Sequence, residues 1–186
     1  EFFECFHLEN ESGTGMITLY HVFPGIDLVY NDMHMECCNK DQKPAFNVME
    51  INYCMEGRCE CVFEQNEYGY IAAGDLSFCS LKKSGHVSEF PTSHYHGITI
   101  TLDFSRITDE MKRILQLLSV NLEKIRNISK THSFTIIRAN HSIEHIFSEL
   151  YKVPEEIRYG YIRVKILELL LVLPGFDLKK NNSEHI

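Results

Sequence analysis

Residues Phe46–Phe104 read FNVMEINYCMEGRCECVFEQNEYGYIAAGDLSFCSLKKSGHVSEFPTSHYHGITITLDF. Runs rich in β-branched and aromatic residues are broken here by Glu56-Gly57, Gln65-Asn66-Glu67, Ala73-Gly74-Asp75 and Lys82–Gly85. That punctuation marks a succession of short strands. Val48–Glu56 is predicted as a strand that stops at Gly57, with Arg58–Glu64 returning from it, followed by Tyr68–Ala72 and Leu76–Leu81. His94–Phe104 is the longest strand candidate. Period-two alternation puts His94, His96, Ile98, Ile100 and Leu102 on one of its faces and Tyr95, Thr99, Thr101 and Asp103 on the other. Strands of this length and spacing suit a small barrel, and a barrel offers an interior cavity.

Working outward, Ile17–Val22 and Ile26–Tyr30 flank Pro24-Gly25 and are read as an entry hairpin. Beyond Arg106 the period changes. Ile107, Met111, Ile114, Leu115 and Leu118 recur at helical spacing behind Thr108-Asp109-Glu110, a hydroxyl and two carboxylates suited to a helix start. A second amphipathic helix is expected from about Asn140 to Tyr151. Pro154 sets the start of a third, whose apolar positions Ile157, Tyr161, Val164, Ile166, Leu167, Leu170 and Leu171 form a stripe wider than one buried face requires. Pro174-Gly175 ends it.

At 186 residues and 44% hydrophobic content the chain can bury one respectable core. A formal net charge of -8 works against binding a polyanion, because phosphate recognition needs a concentrated Lys/Arg surface. The seven cysteines do not fall into a secreted framework: Cys37 and Cys38 are adjacent, and Cys59 and Cys61 alternate on one strand. They are read as reduced thiols in a cytoplasmic setting. The longest apolar run, Ile166–Leu173, is interrupted by Glu168 and too short to span a bilayer, so no membrane contact is expected.

EINYCMEG at 50–57, AAGDLSF at 72–78, the Gly85-His86 pair and a helix ending in LELLLVL at 167–173 together resemble the amino-terminal, cupin-like half of AraC-type bacterial transcription regulators. The resemblance implies a mainly β fold with α: a cupin-like antiparallel barrel, or double-stranded β-helix, that binds a small effector, followed by helices that pair two subunits. It divides the chain into a sensor barrel with an N-terminal arm (1–105), a helical dimerisation segment (106–175) and a polar tail (176–186). The tail is expected to lead to a DNA-binding domain outside this sequence, so DNA is contacted only through that domain.

The expected effector contacts are Glu50, Asn52, His86, His94, Tyr95 and His96, which supply the small convergent set of donors and acceptors that an apolar pocket needs to orient a ligand. If Glu50 points inward, Asn52 and Cys54 share its face while Ile51, Tyr53 and Met55 pack behind the sheet. The homodimer is expected to form through Ile157, Tyr161, Val164, Leu167 and Leu171. Metal-dependent cupins carry His-x-His ahead of a Glu that has six residues between it and a Gly. Glu50 and Gly57 keep that last spacing, but no histidine stands near Pro44-Ala45-Phe46. No cofactor and no catalytic residue is therefore assigned. Two alternatives stay open: a metal-dependent isomerase or oxygenase with Glu50, His86, His94 and His96 around one ion, and a dimerisation module with a side-chain-filled barrel.

Overall fold

A computed structural model describes residues 2–39, 47–62, 68–81, 87–131 and 134–175. Its strands are β1 (Phe3–Asn10), β2 (Gly13–Phe23), β3 (Ile26–His34), β4 (Cys37–Asn39), β5 (Val48–Val62), β6 (Tyr68–Ala72), β7 (Asp75–Ser80), β8 (Val87–Glu89), β9 (Tyr95–Asp103) and β10 (Phe134–Arg138). The helices are α1 (Asp109–Leu117), α2 (Leu122–Thr131), α3 (His141–Tyr151) and α4 (Arg158–Val172). All strand pairings among the described residues are antiparallel.

One sheet runs β1-β2-β3-β9-β5-β7-β10, and a smaller one joins β4, β8, the far half of β5 and β6. Strand β5 belongs to both. Val48–Tyr53 lies between β9 and β7, whereas Arg58–Val62 lies against β6. The sequence pattern puts a hairpin turn at Gly57; the strand instead continues through it. The ladder with β9 slips between Cys54 and Glu56, and Gly57 takes φ 79°, the left-handed conformation of a one-residue bulge. A bulge re-aims a strand where a two-residue turn would reverse it, and here it carries β5 from the larger sheet into the smaller one.

The alternation seen in the sequence sorts the two faces of the larger sheet. Leu28 of β3, Ile51 of β5, Phe78 of β7 and Ile98 and Ile100 of β9 are fully buried against the helices, outside the barrel. Each such side chain contributes about 1.5–3 kcal/mol through burial. The opposite face, carrying Asn31, Asn52, Thr99 and Thr101, turns inward.

Thr108 caps α1, its hydroxyl accepting from the Met111 amide at 3.2 Å, and Asn140 caps α3, accepting from the Ile143 amide at 3.0 Å. Five elements go beyond what the sequence pattern predicts: β1, β4, β8, α2 and β10. Strand β10 falls inside the segment expected to be helical and pairs with β7, so this stretch is built into the barrel sheet.

Helix α4 buries Ile162, Ile166, Leu169 and Leu170 and is tethered to β2: Arg158 Nη1 donates to Tyr20 Oη at 3.2 Å and Arg163 Nε to the Val22 carbonyl at 3.2 Å. Leu167 packs half-buried on the core. Ile157, Val164 and Leu171 do not, and stay 53%, 61% and 49% exposed. Val164 and Leu171, seven residues apart, form one stripe along the helix, and Ile157 stands at the residue that precedes its first turn. Among the described residues no helix is long and apolar enough to cross a membrane.

Candidate functional site

The two sheets curve around a cavity of about 520 Å³, within the range of roughly 300–1,000 Å³ typical of small-molecule sites. Its polar wall crosses three neighbouring strands, because the register sets Asn52 of β5 opposite Thr99 of β9, and Glu50 opposite Thr101. Asn31 of β3 completes the strip, its amide donating to Thr99 Oγ1 at 3.0 Å. The Thr99 hydroxyl donates to Asn52 Oδ1 at 3.1 Å, and the Tyr95 hydroxyl donates to the same oxygen at 3.0 Å. With its carbonyl engaged twice, Asn52 has its amide nitrogen left as the donor for a ligand. Ile17, Leu19, Val29, Met33 and Phe134 supply apolar wall. The cavity therefore suits a molecule with an apolar body and hydrogen-bonding groups along one side.

Burial holds the Tyr95 phenol well above its usual pKa, so it stays a neutral donor at physiological pH. Its ring lies over Gly97, where a Cβ would run into the Tyr95 hydroxyl. A side chain at 97 would break the Tyr95–Asn52 contact from beneath.

Cys38, Cys59, Cys61 and Cys79 also face the cavity, with Cys59 and Cys61 sulfurs 3.7 Å apart on one side of β5. Cys54 is fully buried behind them, and desolvation pushes its thiol up to about 12. At pH ~8 its thiolate fraction is then on the order of one part in ten thousand. Brief treatment with iodoacetamide at that pH is expected to alkylate exposed Cys5 and spare Cys54, as read by peptide mass mapping; equal labelling of the two would contradict the packing of this end of the barrel.

Of the residues expected at an effector site, the fold brings Glu50, Asn52 and Tyr95 to the cavity wall. His94 and His96 are not on it. They flank Tyr95 in an extended segment, so their side chains leave the opposite face of the sheet and gather outside the barrel with His34. One ligand in the cavity cannot touch Tyr95 and these two imidazoles together, and an interior ion held by Glu50, His94 and His96 fails for the same reason. His86 lies outside the described residues. Asn31, Ser77 and the cavity cysteines carry no motif of their own, although period two from Asn52 and Thr99 already marks an inward polar face.

No protein-family model matches the sequence, and no curated protein matches it. Solved structures do. The AraC-like transcriptional activator CuxR superposes with a TM-score of 0.52 at 10% identity, over 95% of this chain and 62% of CuxR. The chain has an AraC-like fold. ToxT K231A from Vibrio cholerae strain SCE256 superposes on the same AraC-like architecture with a TM-score of 0.51 at 9% identity, over 88% of this chain and 59% of ToxT. The chain thus spans about three fifths of the length of either structure.

Proposed function

We propose that this chain is the effector-sensing and dimerisation part of an AraC-type bacterial transcription regulator, acting in the cytoplasm as a binding protein without catalytic activity. The observation that carries the proposal is the back-to-back arrangement of cavity wall and helix contacts on adjacent residues. On β3, Asn31 faces the cavity while Tyr30 donates its hydroxyl to the Leu150 carbonyl of α3 at 2.7 Å. On β5, Asn52 faces the cavity while Tyr53 stacks on Phe147 of α3, ring centroids 4.5 Å apart. A ligand that draws on Asn31 and Asn52 bears directly on the strands that seat α3, and α3 packs on α4.

Such a ligand shifts a population of domain arrangements by its differential affinity for them, and couplings of this kind are typically about 1–3 kcal/mol. DNA is read by a separate domain, in keeping with the acidic charge of this one. Calorimetry with a ligand recovered from the purified protein tests the site. Asn52→Ala and Glu50→Gln are expected to weaken binding by about tenfold each, the value of one lost hydrogen bond of roughly 1.4 kcal/mol, with the fold intact. Unchanged affinity in both variants would remove the β5 wall from the site.

Pairing of two subunits runs through Ile157, at the residue that precedes α4, and Val164 and Leu171 on α4, with Tyr161 and Leu167 at the borders of this stripe. Val164→Asp combined with Leu171→Asp is expected to give a folded monomer in analytical ultracentrifugation, because both side chains are largely exposed within one chain. A dimer that survives the pair of substitutions would place the interface elsewhere.

A further inference from the structure

A second cluster of chemistry-bearing side chains stands outside the barrel, on the helix-facing side of the sheet at one end of β3, β9 and β5. Register builds it. His96 of β9 is paired with Asp32 of β3 on one flank and with Glu56 of β5 on the other. His34 lies two residues beyond Asp32, and His94 two before His96, so period two brings all five side chains to one face. None of the five lines the cavity.

The imidazoles are close. Ring centroids are 4.5 Å apart for His94 and His96, 5.2 Å for His34 and His94, and 5.5 Å for His34 and His96. One ligand nitrogen from each ring falls within 4.8 Å of the others. Asp32 Oδ1 sits 2.9 Å from His34 Nε2 and 2.7 Å from His96 Nε2, while Glu56 Oε2 sits 3.1 Å from His94 Nε2. Asp32 Oδ1 and His96 Nε2 are both buried, and despite their proximity neither makes a hydrogen bond among the described residues. A carboxylate oxygen and an imidazole nitrogen that converge without hydrogen-bond geometry are an arrangement that a shared cation satisfies.

We propose that His34, His94 and His96, with Asp32 as fourth ligand, bind a divalent first-row transition ion of the zinc class. Three imidazoles and a carboxylate match the nitrogen and oxygen donors that such ions prefer. Bond lengths of about 2.0–2.2 Å separate the donors of a tetrahedral site by roughly 3.3 Å, so the rings close by side-chain rotation when the ion enters. Glu56 then serves as the outer partner that orients the His94 ring. The ion fastens β3 to the start of β9 beside the Gly57 bulge, and Glu56 links β5 to the site through His94. It is separate from the cavity and from any interior cupin-type metal position.

Cobalt(II) is the probe, added to the purified, metal-stripped chain and followed by visible absorption, with zinc competition and elemental analysis after dialysis. The expected result is one equivalent of cobalt giving ligand-field bands without a thiolate charge-transfer band, and displacement by zinc. The paired variant His34→Gln, His96→Gln is expected to bind on the order of 100-fold more weakly or worse, whereas Cys59→Ser with Cys61→Ser leaves binding unchanged. His34 is mostly exposed and His96 partly so; the histidine variant is therefore expected to keep the wild-type far-ultraviolet circular dichroism. Absence of stoichiometric binding at micromolar cobalt, binding that survives the histidine variant, or a thiolate charge-transfer band would each overturn the proposal.

Discussion

Phe147→Ala is expected to lower the unfolding free energy by about 3–5 kcal/mol. Phe147 is fully buried on α3, and its ring lies nearly parallel to that of Tyr53, at 11° and 4.5 Å, at the seam between helices and barrel. Truncation removes the transfer free energy of the ring and leaves a void that the sheet cannot close, because the surrounding ladder fixes its backbone. Urea unfolding should show the midpoint falling at constant m-value. The same variant should still bind a cavity ligand, since Phe147 is on the far side of β5, while that ligand loses its effect on the helices. A change below about 1 kcal/mol would mean that the seam between α3 and β5 is not packed as described.

Gly57→Val is the second large effect, with an expected cost of about 2–4 kcal/mol. The backbone at 57 has φ 79°, where an L side chain is strained, and a Cβ there would run into the His94 carbonyl oxygen, a backbone atom that cannot rotate away. Valine adds a branch at the same carbon. The strain falls at the one point where β5 passes from the larger sheet to the smaller, so β6 and β8 should lose alignment before β3 and β9 do. Hydrogen exchange resolved by strand reads this directly: amides of β6 and β8 are expected to exchange faster in the variant, with β3 and β9 retained. Wild-type stability and exchange would show that the bulge can be rebuilt without a left-handed residue.

Much of this fold is legible in the sequence because alternation and punctuation are strong where one face is buried. The β2–β3 hairpin around Pro24-Gly25, the β7 and β9 strands, the capped start of α1 and the span of α3 all follow from local pattern. Strand β1 escapes because nearly all its side chains are exposed, which leaves no contrast to read. Strand β10 escapes because its five residues sit between helices, and only the ladder to β7 defines them. Gly57 misleads because a bulge and a turn need the same residue type. For the cavity, alternation correctly groups Glu50 with Asn52 and Tyr95 with Thr99. It equally separates His94 and His96 from Tyr95, so placing all three in one site runs against the same rule. Pairing across strands decides the rest: Asn31 joins Thr99, and His34 joins His94 and His96, through register that only the folded sheet defines.

The central claim, that the barrel cavity receives a small organic molecule, is tested most directly by native mass spectrometry of the purified chain after exposure to a bacterial metabolite extract, beside the cavity-filling variant Thr99→Phe. The account predicts a single small-molecule adduct per subunit in the wild-type protein and its loss in Thr99→Phe, with the dimer mass retained in both. An adduct held equally by the variant, or no adduct on the wild-type chain, would contradict it.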